Sequence, residues 1–165
     1  MAQTGSIATR LVVGYLTASS GGVNTLAAQL AQDSAVDISP LRPAAIFTQN
    51  VAFDLAEKAL VVKYPAIHVY VDRVQNTLTE KFRTFSGKVR TVAEVRVSND
   101  RIDLVEQYLA LYVEAVTGVL DANRGCWGEG AFFAGAYEVS FEPMKHGGKN
   151  YLQVAKITFE VDLSS

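Results

Sequence analysis

The chain is predicted to be α+β: a four-stranded, mainly antiparallel sheet in a β-β-α-β-β core, with helices packed on one face and further helices at the N-terminus. Three observations lead there. The apolar residues repeat with period two on both sides of one long segment of period 3.6, Asp100 to Asn123. The strand-like segments come in two pairs, one before and one after that helix, within Pro65 to Leu163. The first third of the chain carries helical spacing interrupted by turn formers. With 165 residues, 49% of them hydrophobic, there is enough material for one domain with a real core and too little for two large ones. A single domain over 1–165 is expected, mostly helical over 1–62, with the β-β-α-β-β core over 63–165.

Taken in order, Ile7, Leu11, Val12, Tyr15 and Leu16 share one helical face, Gly14 is its weak point, and Ser19-Ser20-Gly21-Gly22 breaks it. Asn24 is placed to cap a second short helix bearing Leu26, Ala27, Leu30 and Ala31. Asp33 to Pro43 holds too many turn formers to continue it, and Pro40 and Pro43 mark a loop. Ile46 to Val51 is compatible with a strand, whereas Val51 to Val62 has helical spacing at Ala52, Leu55, Ala59 and Val62.

From Pro65 the period becomes two. Ile67, Val69 and Val71 alternate with His68, Tyr70 and Asp72. Val89, Thr91, Ala93, Val95 and Val97 then alternate with Lys88, Arg90, Glu94 and Arg96. The connection between Val74 and Gly87 exceeds the about 2–5 residues of ordinary hairpin loops, and such long connections tend to serve function or assembly.

In the central helix, Ile102, Val105, Leu109, Tyr112, Val116 and Val119 form a stripe with steps of three and four. A second row, Leu104, Tyr108, Leu111 and Ala115, widens the apolar arc to roughly 200°, about twice what one supporting surface requires. Two surfaces are expected to cover it, the sheet and, through the second row led by Tyr108 and Leu111, a neighbouring copy of the chain. Ser98 or Asn99 suits the cap, Asp100 and Asp103 suit the positive end of the dipole, and Asn123 to Gly125 supply the stop. Behind the helix, Tyr137, Val139 and Phe141 alternate with Glu138, Ser140 and Glu142. Tyr151 to Leu163 places Ala155, Ile157, Phe159, Val161 and Leu163 inward, opposite Lys156, Thr158, Glu160 and Asp162. Lys145-His146-Gly147-Gly148-Lys149 forms the hairpin turn between these strands.

A formal net charge of -2 argues against a dedicated nucleic-acid binder. The one cysteine, Cys126, cannot form an internal disulfide, which favours an intracellular origin. Met1 to Gly14 lacks a basic n-region and does not resemble a signal peptide; no run reaches the about 18 apolar residues that span a membrane, so a soluble protein is expected.

Chemistry finds little support. The Gly-Gly-Lys of 147–149 lacks the first glycine of a phosphate loop and the following Ser or Thr. His68 and His146 have no second ligand at metal spacing. Cys126 has no third group to orient a histidine base. The outward charges Glu94, Glu138, Glu142, Glu160 and Asp162 beside Lys88, Arg90, Arg96 and Lys156 are better explained as cross-strand pairs on a solvated or subunit-facing sheet than as acid–base groups. No catalytic, cofactor-binding or metal residue is expected.

Two segments point elsewhere. Lys81-Phe82-Arg83-Thr84-Phe85 interleaves basic and aromatic residues, suited either to a nucleic-acid backbone or to clasping a neighbouring subunit. In Gly125 to Gly135, Trp127, Phe132 and Phe133 are either folded under a glycine-rich connection or used as interface anchors.

Tyr64-Pro65-Ala66-Ile67-His68-Val69, the alternating strands, the helix start Ser98-Asn99-Asp100-Arg101-Ile102-Asp103 and the closing segment Leu152 to Val161 together resemble the tail-terminator family of long-tailed bacteriophages. The resemblance covers about 100 residues, in element order and style of ending. It implies an antiparallel sheet with helices on one face and a hexameric homo-oligomeric ring that caps the tail tube protein and meets the head–tail connector or stopper protein. It also implies a virion location at the tail or neck after assembly in the host cytoplasm. DNA would pass through the lumen without specific binding, and no membrane is involved. The N-terminal helical region is longer than the family's core, which keeps open another neck or head–tail connector protein; a small nucleic-acid-binding module is the further alternative. Rings rest on heterologous contacts. The candidate interface residues are Phe82, Arg83, Phe85, Tyr108, Leu111, Trp127, Phe132 and Phe133.

Overall fold

The longest alternating segments become the two longest strands, paired with each other at the centre of the sheet. In a computed structural model, which describes residues 2–38, 40, 45–50 and 64–165, β3 (Ser86–Asn99) runs antiparallel to β8 (Asn150–Ser164), from Ser86 opposite Ser164 to Asn99 opposite Tyr151. On its other side β3 pairs antiparallel with β2 (Ala66–Asn76), across a bulge between Val71 and Arg73. The short β1 (Ile46–Phe47) lies parallel to β2. The second edge of β8 is shared in turn by β7 (Lys145–Gly147), β6 (Tyr137–Phe141) and β5 (Ala131–Phe133), and β4 (Gly125–Gly128) lies beyond β5.

The protein is α+β, with a large eight-stranded mixed curled sheet and three helices among the described residues. The expected four-stranded, mainly antiparallel sheet was therefore too small, and it missed the parallel pair. The physical reason is strand length. β1, β4, β5 and β7 run for two to four residues, too few for a period-two pattern to stand out from a glycine-rich turn. Val51 to Val62, expected to be helical, lies outside the described residues, as does Pro43.

The helices are α1 (Ala2–Leu16), α2 (Val23–Asp33) and α3 (Ile102–Ala122). α1 rests on β2 and β3, α3 crosses β3 and β8, and α2 packs on α3. Ala8, Val12 and Leu16 of α1 repeat every four residues and join Val69, Ala93, Val95, Ile157 and Phe159 in one buried cluster. Each large aliphatic or aromatic side chain fully buried there contributes about 1.5–3 kcal/mol. α2 starts one residue before Asn24, with Gly22 as its N-cap. A Cβ on Gly22 would lie 2.2 Å from the Ala18 carbonyl oxygen, so this tight entry requires glycine. α3 begins at Ile102 rather than Asp100, because the Asn99 side chain accepts the Arg101 N–H at 3.0 Å just ahead of the first turn. It ends as expected at Asn123, whose amide donates to the Val119 carbonyl at 2.8 Å.

The wide apolar arc of α3 is used within the chain. Val105, Leu109, Tyr112, Val116 and Val119 are buried, and so are Leu111 and Ala115 of the second row. Gly118 continues that row, and a Cβ there would lie 3.1 Å from the Leu26 side chain of α2. The second supporting surface is this chain's own α2, not the neighbouring copy expected for the row led by Tyr108 and Leu111. Tyr108 is half-buried, and Ile102, at the start of the first row, is half-exposed.

The other face of the sheet departs from simple alternation. His68, Tyr70, Glu94 and Arg96, expected to face out, are all buried. Arg96 donates to Glu94 Oε1 from Nε at 2.8 Å and from a terminal nitrogen at 2.7 Å, and the Tyr70 hydroxyl donates to Glu94 Oε2 at 2.8 Å. Pairing of this quality is what makes a buried carboxylate and guanidinium tolerable.

Candidate functional site

β2 and β3 are joined by residues 77–85, which form a braced loop. The Thr77 and Leu78 N–H groups both donate to the Ser86 carbonyl, at 2.9 and 3.0 Å. Asn76 Oδ1 accepts from Leu78 N at 3.2 Å and from Ser86 N at 3.1 Å, closing the loop's neck as an Asx turn does. The Thr84 and Phe85 N–H groups donate to the Ser165 carbonyl at 2.9 and 3.0 Å. Ser164 Oγ donates to Glu80 at 2.6 Å. Phe85 is buried beneath the loop and belongs to the core.

Above these braces, Phe82 is 104% exposed, with φ 66°, and Leu78 is exposed with φ 47°. A left-handed backbone conformation costs a non-glycine residue on the order of 1–3 kcal/mol and persists only where its surroundings over-determine it. Leaving a phenylalanine in water forgoes a further burial of about 1.5–3 kcal/mol. The loop therefore presents an aromatic side chain at a double cost. Lys81 and Arg83 flank it, both exposed, with Arg83 3.6 Å from Glu80. Beside the loop's base, a shallow groove of about 400 Å³ is lined by Thr77, Thr79, Ser86, Phe132 and Leu163.

The sheet face opposite α1, α2 and α3 forms the second surface. A cavity of about 760 Å³ opens over it, lined by side chains of β2, β3, β6 and β8. Its charges are arranged across strands: Lys88 lies 2.8 Å from Glu160, Arg90 2.9 Å from Asp72, and Lys156 at the rim 2.8 Å from Glu142. The partner carboxylates hold Lys88 and Lys156 above the usual lysine pKa, in each case chiefly through the hydrogen bond. At the cavity's inner end, burial pushes the Tyr70 hydroxyl strongly upward, and its hydrogen bond to Glu94 adds to this. Burial holds the His68 imidazole below its usual range, with the Arg96 charge next in size. His68 Nδ1 donates to the Gln49 carbonyl at 3.4 Å, and its ring stacks on Phe47 at 4.8 Å.

The candidate interface residues divide between surface and core. Phe82 and Arg83 are exposed at the loop tip, Phe132 is half-exposed beside the groove, and Tyr108 is half-buried. Phe85, Leu111, Trp127 and Phe133 are buried within the protomer. Trp127 is folded under the glycine-rich segment: its indole N–H donates to the Asn123 carbonyl at 2.6 Å, and its ring lies 5.2 Å from both Tyr15 and Phe133. Leu78, exposed beside Phe82, lies in the same long connection but was not among the interface candidates.

Cys126 on β4 and His68 on β2 are separated by three intervening strands, about 19 Å at the usual strand spacing. That separation is too large for a cysteine–histidine pair. The 145–149 turn is the tip of the β7–β8 hairpin, with no helix following it, so its glycines do not cradle phosphate. No group of three metal-ligating side chains occurs among the described residues, and no helix among them is long and apolar enough to cross a membrane. No protein-family model matches the chain, and no curated protein matches it.

Proposed function

We propose that this chain is a structural, non-catalytic ring subunit of a long-tailed bacteriophage, one that ends growth of the tail tube and joins the tail to the head connector. The observation that carries the proposal is Phe82, held fully in solvent on a braced loop in an unfavourable backbone conformation. An exposed aromatic on a preorganised support suits an interface anchor, since little ordering remains to be opposed when a partner covers it. The cross-strand pairing of Lys88, Arg90 and Lys156 accords with the same reading, because their carboxylate partners are engaged structurally. The resemblance of the segments from Tyr64 onward to tail terminators gives the ring its proposed place and size. Further copies of this chain, tail tube protein and the head connector are its proposed partners, and the virion tail or neck its location.

Adding the purified protein to polymerising tail tube protein provides the test. Under this proposal, tubes stop lengthening and carry a ring at one end in negative-stain images. Tubes that keep growing with bare ends at saturating protein would remove the terminator role.

A further inference from the structure

The charged cavity on the sheet face opposite α1, α2 and α3 and the loop tip bearing Phe82 are complementary, and they lie on different parts of one protomer. Within the cavity, Lys88 and Arg90 are in contact with Glu160 and Asp72, whereas Glu138 makes no ion pair among the described residues and Asp162, opposite Lys88 on β3, acts on it only at longer range because the Lys88 ammonium is hydrogen-bonded to Glu160. On the loop the imbalance has the opposite sign. Lys81 has no acidic partner there, and Arg83 is committed only to an exposed contact of 3.6 Å with Glu80, of a kind worth little in water.

We propose that the Lys81-Phe82-Arg83 tip of one copy seats in the sheet-face cavity of a second copy, the cations meeting Glu138 and Asp162 and the phenyl ring lying between them. This rests on the ring reading and names the contact that builds the ring. The dimensions agree. The cavity's roughly 760 Å³ falls within the about 300–1,000 Å³ of pockets that bury a compact ligand. Glu138 is paired with Thr158, and Asp162 lies four residues further along β8, which places the carboxylates about 13 Å apart. Lys81 and Arg83 are two residues apart, at most about 7 Å along the chain, and their long stems reach across the remainder. Because one patch meets a different patch, the first copy keeps a free cavity and the second a free loop for further neighbours, and repetition closes a ring when the rotation allows.

Native mass spectrometry of four full-length proteins tests this: the wild type, Lys81→Glu/Arg83→Glu, Glu138→Lys/Asp162→Lys, and the protein carrying all four changes. All four positions are exposed; Lys81→Glu/Arg83→Glu should leave thermal melting unchanged, whereas Asp162→Lys sets a second lysine opposite Lys88 on β3 and should lower it by a small amount, which the melts of each variant measure. Either pair of reversals is expected to weaken association by roughly tenfold or more, and the combined protein to recover most of it. In a Cys126→Ser background, Phe82→Cys and Ser140→Cys together should give a ladder of covalently linked copies with a short bismaleimide. Wild-type-sized rings from both reversed proteins, with no ladder, would overturn this contact while leaving the ring reading in place. A wild type that stays monomeric alone and with tail tubes would overturn both.

Discussion

Arg96 and Glu94 stand two residues apart on β3, and each is nearly without solvent, at 1% and 6% exposure. Removing one member of such a pair leaves the other charge buried and uncompensated, at a cost of about 3–5 kcal/mol. Glu94→Ala should therefore lower the unfolding free energy by that order in urea titrations; a loss below about 1 kcal/mol would show the pair to be solvated. His68 extends the same cluster and makes stability depend on pH. Its native pKa is depressed, so below about pH 6.5 the unfolded chain binds a proton that the native state refuses. This contribution is complete above pH 6.5 and is lost as the pH falls toward the native pKa, with a slope of at most about 1.4 kcal/mol per pH unit. Urea midpoints of the wild type should fall from pH 6.5 to 5.5 more steeply than those of His68→Gln, and equal slopes would contradict the assignment. None of this was legible in the sequence. Alternation marks which residues share a face, and it does not reveal that the second face is also covered around His68 and Glu94.

At the scale of elements, the central helix shows both what periodicity reveals and where it stops. The two apolar rows of α3 correctly required two surfaces, and its end at Asn123 was readable from the stop signal. The identity of the second surface was not, because a helix stripe carries no label distinguishing a neighbour in the same chain from one in another. Gly118 faces α2, and Leu111, two helical turns earlier, is buried in the core cluster, so Leu111→Ala should cost the isolated protomer about 2–5 kcal/mol. Equilibrium unfolding at low protein concentration measures this directly. A Leu111→Ala protein as stable as the wild type in dilution, yet weaker in association, would return the residue to an interface. Likewise β2, β3, β6 and β8 announced themselves by period two, whereas β4, β5 and β7 were hidden in glycine-rich segments. Gly130 illustrates the cause: with φ 76° and the Ser164 carbonyl oxygen 2.0 Å from where a Cβ would sit, it permits a strand pairing through a residue that reads as a turn.

For the whole molecule, the chain buries its own helices and Trp127, and the proposed association rests on the Phe82 loop and the sheet face opposite α1, α2 and α3. Four of the aromatic and aliphatic residues expected at an interface serve the core instead, since a sequence shows apolar character without showing which side of a loop it occupies. Phe82 and Arg83 are the candidates that stand clear of the protomer. Phe82→Asp should leave the unfolding free energy within about 0.5 kcal/mol of wild type, because the side chain contacts nothing that folding provides. Thermal melts in dilution check this, and a larger loss would place Phe82 in the core. The most direct test of association through this loop is mass photometry of wild type and Phe82→Asp at matched concentrations. The account predicts closed, hexamer-sized rings for the wild type and protomer-sized particles for the variant. The same distribution of masses from both proteins would contradict it.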